Sequence, residues 1–104
     1  MTYSLRVHPE AAGELLDAIR YYEERAGAGV DFATAARAAR RDVQRSPQAW
    51  PPVPYWTGSP EIRSRSVGQF PYRAVYYLRG REVVLIAYAH EKRRPSYWRH
   101  RTGE

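Results

Sequence analysis

The sequence predicts an α+β fold of order βααβββ, a twisted, mainly antiparallel four-stranded sheet with an N-terminal helical hairpin packed on one face and a short C-terminal segment. Three observations carry that prediction. Two neighbouring stretches of the first half space their apolar residues at the helical period. The second half holds three strand-like runs, the last two joined at Arg79-Gly80-Arg81, where glycine supplies the positive φ that a tight hairpin needs. A short alternating run opens the chain.

In chain order, Thr2 to Val7 alternates, with Tyr3, Leu5 and Val7 on one side and Ser4 and Arg6 on the other, the pattern of a half-buried strand. His8-Pro9-Glu10 puts proline at the first helical position and an acid in the first turn, where the helix dipole favours it. Leu15, Leu16, Ile19, Tyr22 and Ala26, with Ala12 before them, keep helical spacing until Gly27 and Gly29, so a helix is expected over about 9–26. Asp31 to Arg45 repeats the logic, with Phe32, Ala35, Ala36, Ala39 and Val43 inward and Arg37, Arg40, Arg41 and Arg45 outward. The short link makes the pair an antiparallel hairpin. Ser46 to Glu61 carries five prolines, which exclude regular structure, while Trp50, Tyr55 and Trp56 predict an ordered crossing folded back onto the domain. Strands are expected at Ile62–Val67, Tyr72–Leu78 and Val83–His90. The last is apolar throughout, so both its faces and both its edges should be covered; it is placed centrally, with the N-terminal strand on its free side. The sheet face away from the helices is expected to stay open to a partner.

A chain of 104 residues fits one domain, 1–104, and its 43% apolar content can supply a core. The negative mean hydropathy then reflects many arginines rather than disorder. No segment approaches 18 uncharged apolar residues and the start lacks a signal-peptide pattern, so a cytoplasmic location is expected. The absence of cysteine excludes disulfides, thiolate metal sites and a cysteine nucleophile. The three histidines, at 8, 90 and 100, are scattered, and there is no glycine-rich phosphate loop or carboxylate pair at metal spacing, so no cofactor and no metal is expected.

The net charge of +6 lies entirely in residues 53–104, since the seven arginines of residues 1–52 are balanced by seven acids. Such a field speeds encounter with polyanions or with an acidic protein segment alike. It peaks in His90-Glu91-Lys92-Arg93-Arg94-Pro95-Ser96-Tyr97-Trp98-Arg99-His100-Arg101. There Tyr97 and Trp98 are read as anchors against the sheet, leaving Arg93, Arg94, Arg99 and Arg101 pointing outward.

Three blocks carry a resemblance. Val7-His8-Pro9-Glu10-Ala11 leads a helix ending Ile19-Arg20-Tyr21-Tyr22; Phe70-Pro71-Tyr72-Arg73-Ala74-Val75-Tyr76 and then Ala89 to Trp98 follow. In this order and spacing they resemble the RelE/ParE superfamily of type II toxin–antitoxin toxins. His90, Arg93, Pro95, Tyr97 and Trp98 look more like the ParE and plasmid-stabilisation branch. The resemblance implies a growth-inhibiting toxin neutralised by a cognate antitoxin in a hetero-oligomer. In the ParE-like branch the target is DNA gyrase; in the RelE-like branch the toxin cuts messenger RNA on the ribosome.

The two branches ask different things of the residues. A ribonuclease using the RNA 2′-hydroxyl needs a base, cations for the phosphate charge and an acid. Arg65 and Arg73 on neighbouring strands are expected to form a phosphate clamp, with His90 near them and Tyr97 as acid or base if cations lower its pKa. The plainer reading makes Arg63, Arg65 and Arg73 solvated or antitoxin-binding charges and gives His90 a structural hydrogen bond. A gyrase inhibitor needs only a shaped basic surface, here Arg63, Arg65, Arg73, Arg93, Arg94, Arg99 and Arg101. The antitoxin is expected to bring an acidic or amphipathic segment, with salt-sensitive association and no membrane involved.

Overall fold

A computed structural model describes residues 2–103, so Met1 and Glu104, the two ends of the expected 1–104 domain, lie outside the described residues. Its elements run β1 (Ser4–Val7), α1 (Pro9–Ala26), α2 (Gly29–Arg45), β2 (Arg63–Ser66), β3 (Tyr72–Arg79), β4 (Glu82–His90) and a closing 3₁₀ turn, Arg99–Arg101. The order βααβββ is the expected one, with strand bounds moved by a residue or two.

Helix α1 starts where His8 turns back: its Nδ1 accepts the Glu10 N–H at 3.1 Å, and Pro9 takes the position that needs no donor. It stops at Gly27, whose φ of 63° suits glycine; the Gly27 N–H donates to the Glu23 carbonyl and the Ala28 N–H to that of Tyr22. Ala11 and Ala18 are fully enclosed, with Leu15, Ile19 and Tyr22 beside them. Leu16 was expected inside but is 60% exposed. Consecutive helical residues sit about 100° apart, so the stripe that takes Leu15 turns Leu16 to solvent. On α2, Phe32, Ala36, Ala39 and Val43 are buried as expected.

The sheet order is β1-β4-β3-β2, with β1 parallel to β4 and the other neighbours antiparallel. Arg79 pairs with Glu82 around Gly80, which has a φ of 60°. The pairing slips once: Val75 faces Ala87 and Tyr76 faces Leu85, so Ile86 is an inserted residue. Val83, Leu85 and Tyr88 therefore pack on the helix side, while Val84, Ile86 and Ala87 pack on the other. This is why β4 reads as an unbroken apolar run.

The helix side closes over an aromatic cluster. Tyr22 stacks on Phe32 with ring centroids 5.3 Å apart, and Phe70 and Tyr72 meet both edge-on. The other face, expected open, is instead largely covered. Val53 and Ile62 from the crossing, Trp98 from the C-terminal segment and parts of Trp56 and Tyr97 pack on Val75, Tyr77, Val84, Ile86 and Ala87. Left bare, those side chains would form a large apolar patch. The crossing also guards β2: the Val53 N–H donates to Ile62, the Ser64 N–H donates to Pro51, and Pro52 bridges Arg63. A proline-rich chain in that place blocks further strand addition. No helix among the described residues is long and apolar enough to cross a membrane.

Candidate functional site

Alternation along β2 and β3 decides which arginines can work together. Arg65 pairs across from Ala74, and Ser64 from Val75, so Arg65 shares the helix face with Ala74 and Tyr76 while Arg73 shares the opposite face with Ser64, Val75 and Tyr77. The expected Arg65–Arg73 clamp is therefore not formed. Arg65 reaches Asp42 of α2 at 2.7 Å, and its guanidinium lies 5.0 Å from the Trp50 ring centroid. Arg63, on the same face as Arg65, pairs with Glu61 at 3.0 Å and donates to the Trp50 carbonyl. Both tie β2 to α2 or the crossing, on the face away from Arg73.

Arg73 has the other fate. Its Nε donates to Ser64 Oγ at 2.8 Å and one terminal nitrogen to the Ser64 carbonyl at 3.2 Å, so the side chain lies along the sheet surface. It borders a cleft of about 210 Å³ at the seam between the crossing and the C-terminal segment. Val75, Ala89 and Trp98 contribute apolar lining, Tyr55 and Pro95 line it as well, and Arg73, His90, Arg93 and Arg94 bring the charge and hydrogen-bonding groups. Of the lining residues only Glu91 is acidic. Arg73, His90, Arg93, Arg94 and Tyr97 thus converge, whereas Arg63 and Arg65 do not. Arg99 is exposed beside Arg94 and His100, outside the cleft.

The C-terminal segment is anchored on two sides. Ser96 adopts a φ of 64°, and beyond it Trp98 is buried on the sheet, 5.3 Å from the Trp56 ring, while Tyr97 reaches α1. The Tyr97 hydroxyl donates to Glu14 Oε2 at 2.8 Å. Arg101, expected to point outward, is instead buried: it donates to the Ile86 carbonyl at 2.9 Å and pairs with Glu14 at 3.1 Å and Glu10 at 3.4 Å. The cause lies in the short β1, which pairs with β4 only from Glu82 to Leu85. Beyond it Arg101 takes the Ile86 carbonyl and Glu14 Oε1 takes the Tyr88 N–H at 3.1 Å, so two side chains stand in for a missing strand. Glu14, Ser64 and Tyr55 are members of the arrangement that sequence reasoning missed. Glu10 and Glu14 lie four residues apart on α1, as do Tyr97 and Arg101 in the segment, and that matched spacing was the available signal.

The geometry bears on chemistry. Burial and the Glu14 carboxylate push the Tyr97 phenol above its ordinary range, opposite to the lowered value that acid–base work required. The Arg93 guanidinium covers its ring, 3.8 Å from the centroid. The His90 Nδ1 accepts the Lys92 N–H at 3.0 Å, so the neutral ring carries its proton on Nε2 and offers a donor rather than a base. Its ring also meets Tyr72 edge-on at 5.0 Å. What the cleft can do best is hold an oxyanion by forked guanidinium contacts beside apolar and aromatic surface. Among the described residues no three histidine, aspartate or glutamate side chains gather as a metal cage.

No protein-family model matches the sequence, and no curated protein matches it. Among solved structures the chain is similar to one described as "Chromosomal ParDE TA system from P. aeruginosa", at 16% identity, with a TM-score of 0.72 over 86% of this chain and 96% of that one. The helical hairpin and four-stranded mixed sheet are thus an arrangement that a chain of a ParDE toxin–antitoxin system also adopts.

Proposed function

We propose that this chain is the toxin of a type II toxin–antitoxin module that stops growth by binding DNA gyrase through the cleft and its basic rim. One observation carries the reading: Arg73, His90, Arg93 and Arg94 converge on a shaped cleft whose neighbouring tyrosine is held protonated and whose histidine presents a donor. Such a surface binds anionic or hydrogen-bonding groups. The shared fold with a ParDE chain and the sequence resemblance to ParE-like toxins support the same reading. A cognate antitoxin with an acidic segment would occlude the cleft, and raising salt would weaken that association.

The test is incubation of the purified chain with gyrase and supercoiled plasmid. Trapped cleavage products and blocked supercoiling are expected; normal supercoiling at high excess of the chain contradicts the proposal. The ribosome-dependent ribonuclease reading keeps Arg73 and His90 in one cleft but loses Arg65 to the other face and Tyr97 to Glu14. It would be supported instead by defined message cuts, mapped by primer extension and abolished by Arg73→Ala.

A further inference from the structure

We propose that Glu14, a residue of α1 outside the cleft, is the positioning residue that sets the cleft's charge by holding Tyr97 beneath Arg93. The inference rests on the reading of the cleft as the contact surface and concerns how that surface is built.

Glu14 is mostly enclosed, with 18% of its side chain exposed, and its carboxylate serves three groups: the Tyr97 hydroxyl, the Tyr88 N–H and Arg101. A carboxylate so withdrawn from water persists because each oxygen is matched. The consequence runs outward through Tyr97. Its hydroxyl is fixed on α1, its ring is thereby held in place, and the Arg93 guanidinium rests on that ring at 3.8 Å.

Arg93 needs such a holder because it stands between two cavities. It lines the basic cleft, and it also lines a second pocket between α1 and the end of β4, with Glu14, Asp17, Tyr21, Tyr72, Tyr88 and His90. Arg93 is exposed and follows the last strand residue by three positions, so its own backbone does not choose between them. Freed from Tyr97, the guanidinium has the Asp17 carboxylate to turn to, and the cleft keeps only Arg73 and Arg94. Glu14 thus acts on the cleft without touching what the cleft binds.

The test uses the full chain with a short oligothymidylate as a generic polyanion, read by affinity at several salt concentrations. The ring-current shift of the Arg93 δ-methylene protons is measured by NMR in parallel. In the wild type those protons should be displaced upfield by the Tyr97 ring. Glu14→Gln is expected to shrink that displacement, weaken binding about threefold to tenfold and make the salt dependence shallower by about one phosphate contact. Tyr97→Phe, which leaves the Glu14–Arg101 pair and removes only the hydroxyl, should do the same to a smaller extent. In an Arg93→Ala background neither change should weaken binding further.

A folded Glu14→Gln chain with wild-type affinity and an intact Arg93 shift overturns the proposal. So does an equal loss in the Arg93→Ala background. Should Glu14→Gln fail to fold, an unchanged shift and affinity in Tyr97→Phe overturns it as well. A wild-type chain that ignores the oligonucleotide counts against the cleft reading, and the NMR shift still reports on Glu14.

Discussion

The two faces of the sheet are covered by different kinds of chain, and the basic cleft lies on only one of them. On one side two regular helices lay alanines and an aromatic cluster against the strands, and of the two β2 arginines found there Arg63 is paired with Glu61 and Arg65 is closed in by Asp42 and Trp50. On the other side a proline-rich crossing and a C-terminal segment meet along a seam, and Arg73 lies in the gap. Helices present a continuous ridged surface that fills a face. Irregular segments fill it with single large side chains, such as Trp98 and Val53, and leave space between them. Arg65 and Arg73 are the same residue type on adjacent strands, and pleat alone sends one to structure and the other to the candidate surface.

The largest expected effect sharpens this contrast at its anchors. Trp98→Ala and Phe32→Ala should each cost about 3–5 kcal/mol of unfolding free energy in urea melts, since each removes a fully buried aromatic. Where the variants remain folded, only Trp98→Ala should also abolish anion binding, because its indole helps line the cleft. Arg101→Ala comes next. It leaves Glu14 withdrawn from water without its cation and Ile86 without its donor, and should cost about 3 kcal/mol by the same measurement. Arg65→Ala and Arg73→Ala break the comparison most cleanly. The first should lower stability by about 1–3 kcal/mol and spare target inhibition; the second should change stability by less than about 1 kcal/mol and remove inhibition.

Smaller effects follow from titration. The Tyr76 phenol, on the helix side, is pushed by burial from 10.0 up to about 12. The unfolded chain therefore loses this proton first, so the stabilisation is whole below pH 10 and lost as pH rises from 10 through about 12. Thermal melts from pH 8 to 11 should show the decline beginning near pH 10, and Tyr76→Phe should make it shallower, the remainder coming from the other phenols that burial raises, Tyr88 and Tyr97 among them. Glu10 behaves oppositely, because its hydrogen bond with His100 holds its carboxyl below the ordinary 4.5. Its contribution is present above pH 4.5 and fades below it, and its exposure makes this the smallest of the effects.

Much of this architecture is legible without coordinates because periodicity is local. Phe32, Ala36, Ala39 and Val43 announce α2's inner face, Gly27 and Gly80 mark stops, and the apolar β4 run announces a central strand. Helical spacing alone does not say which of two adjacent leucines the stripe takes, and Leu16 is the one left in solvent. The site was half legible. His90, Arg93, Arg94 and Arg73 could be named from residue type and position, and they do converge. The split between Arg65 and Arg73 is hidden in the sequence because side along one strand can be counted from it, whereas the match between two strands requires their register. Arg101 looks exposed from sequence because its acceptors, Glu14 and the Ile86 carbonyl, lie far away in the chain. The cover on the second face is hidden for a related reason: a proline-rich crossing carries no periodic signal to show where it lies.

The most direct test of the central claim pairs the two arginines in one gyrase supercoiling assay, with folding of each variant checked by its melt. Wild type and Arg65→Ala are predicted to block supercoiling at similar concentrations, and Arg73→Ala to fail at tenfold higher ones, by about a factor expected for one lost forked contact. Equal inhibition by all three, or loss in Arg65→Ala with Arg73→Ala unaffected, would contradict the assignment of the working surface to the face away from the helices.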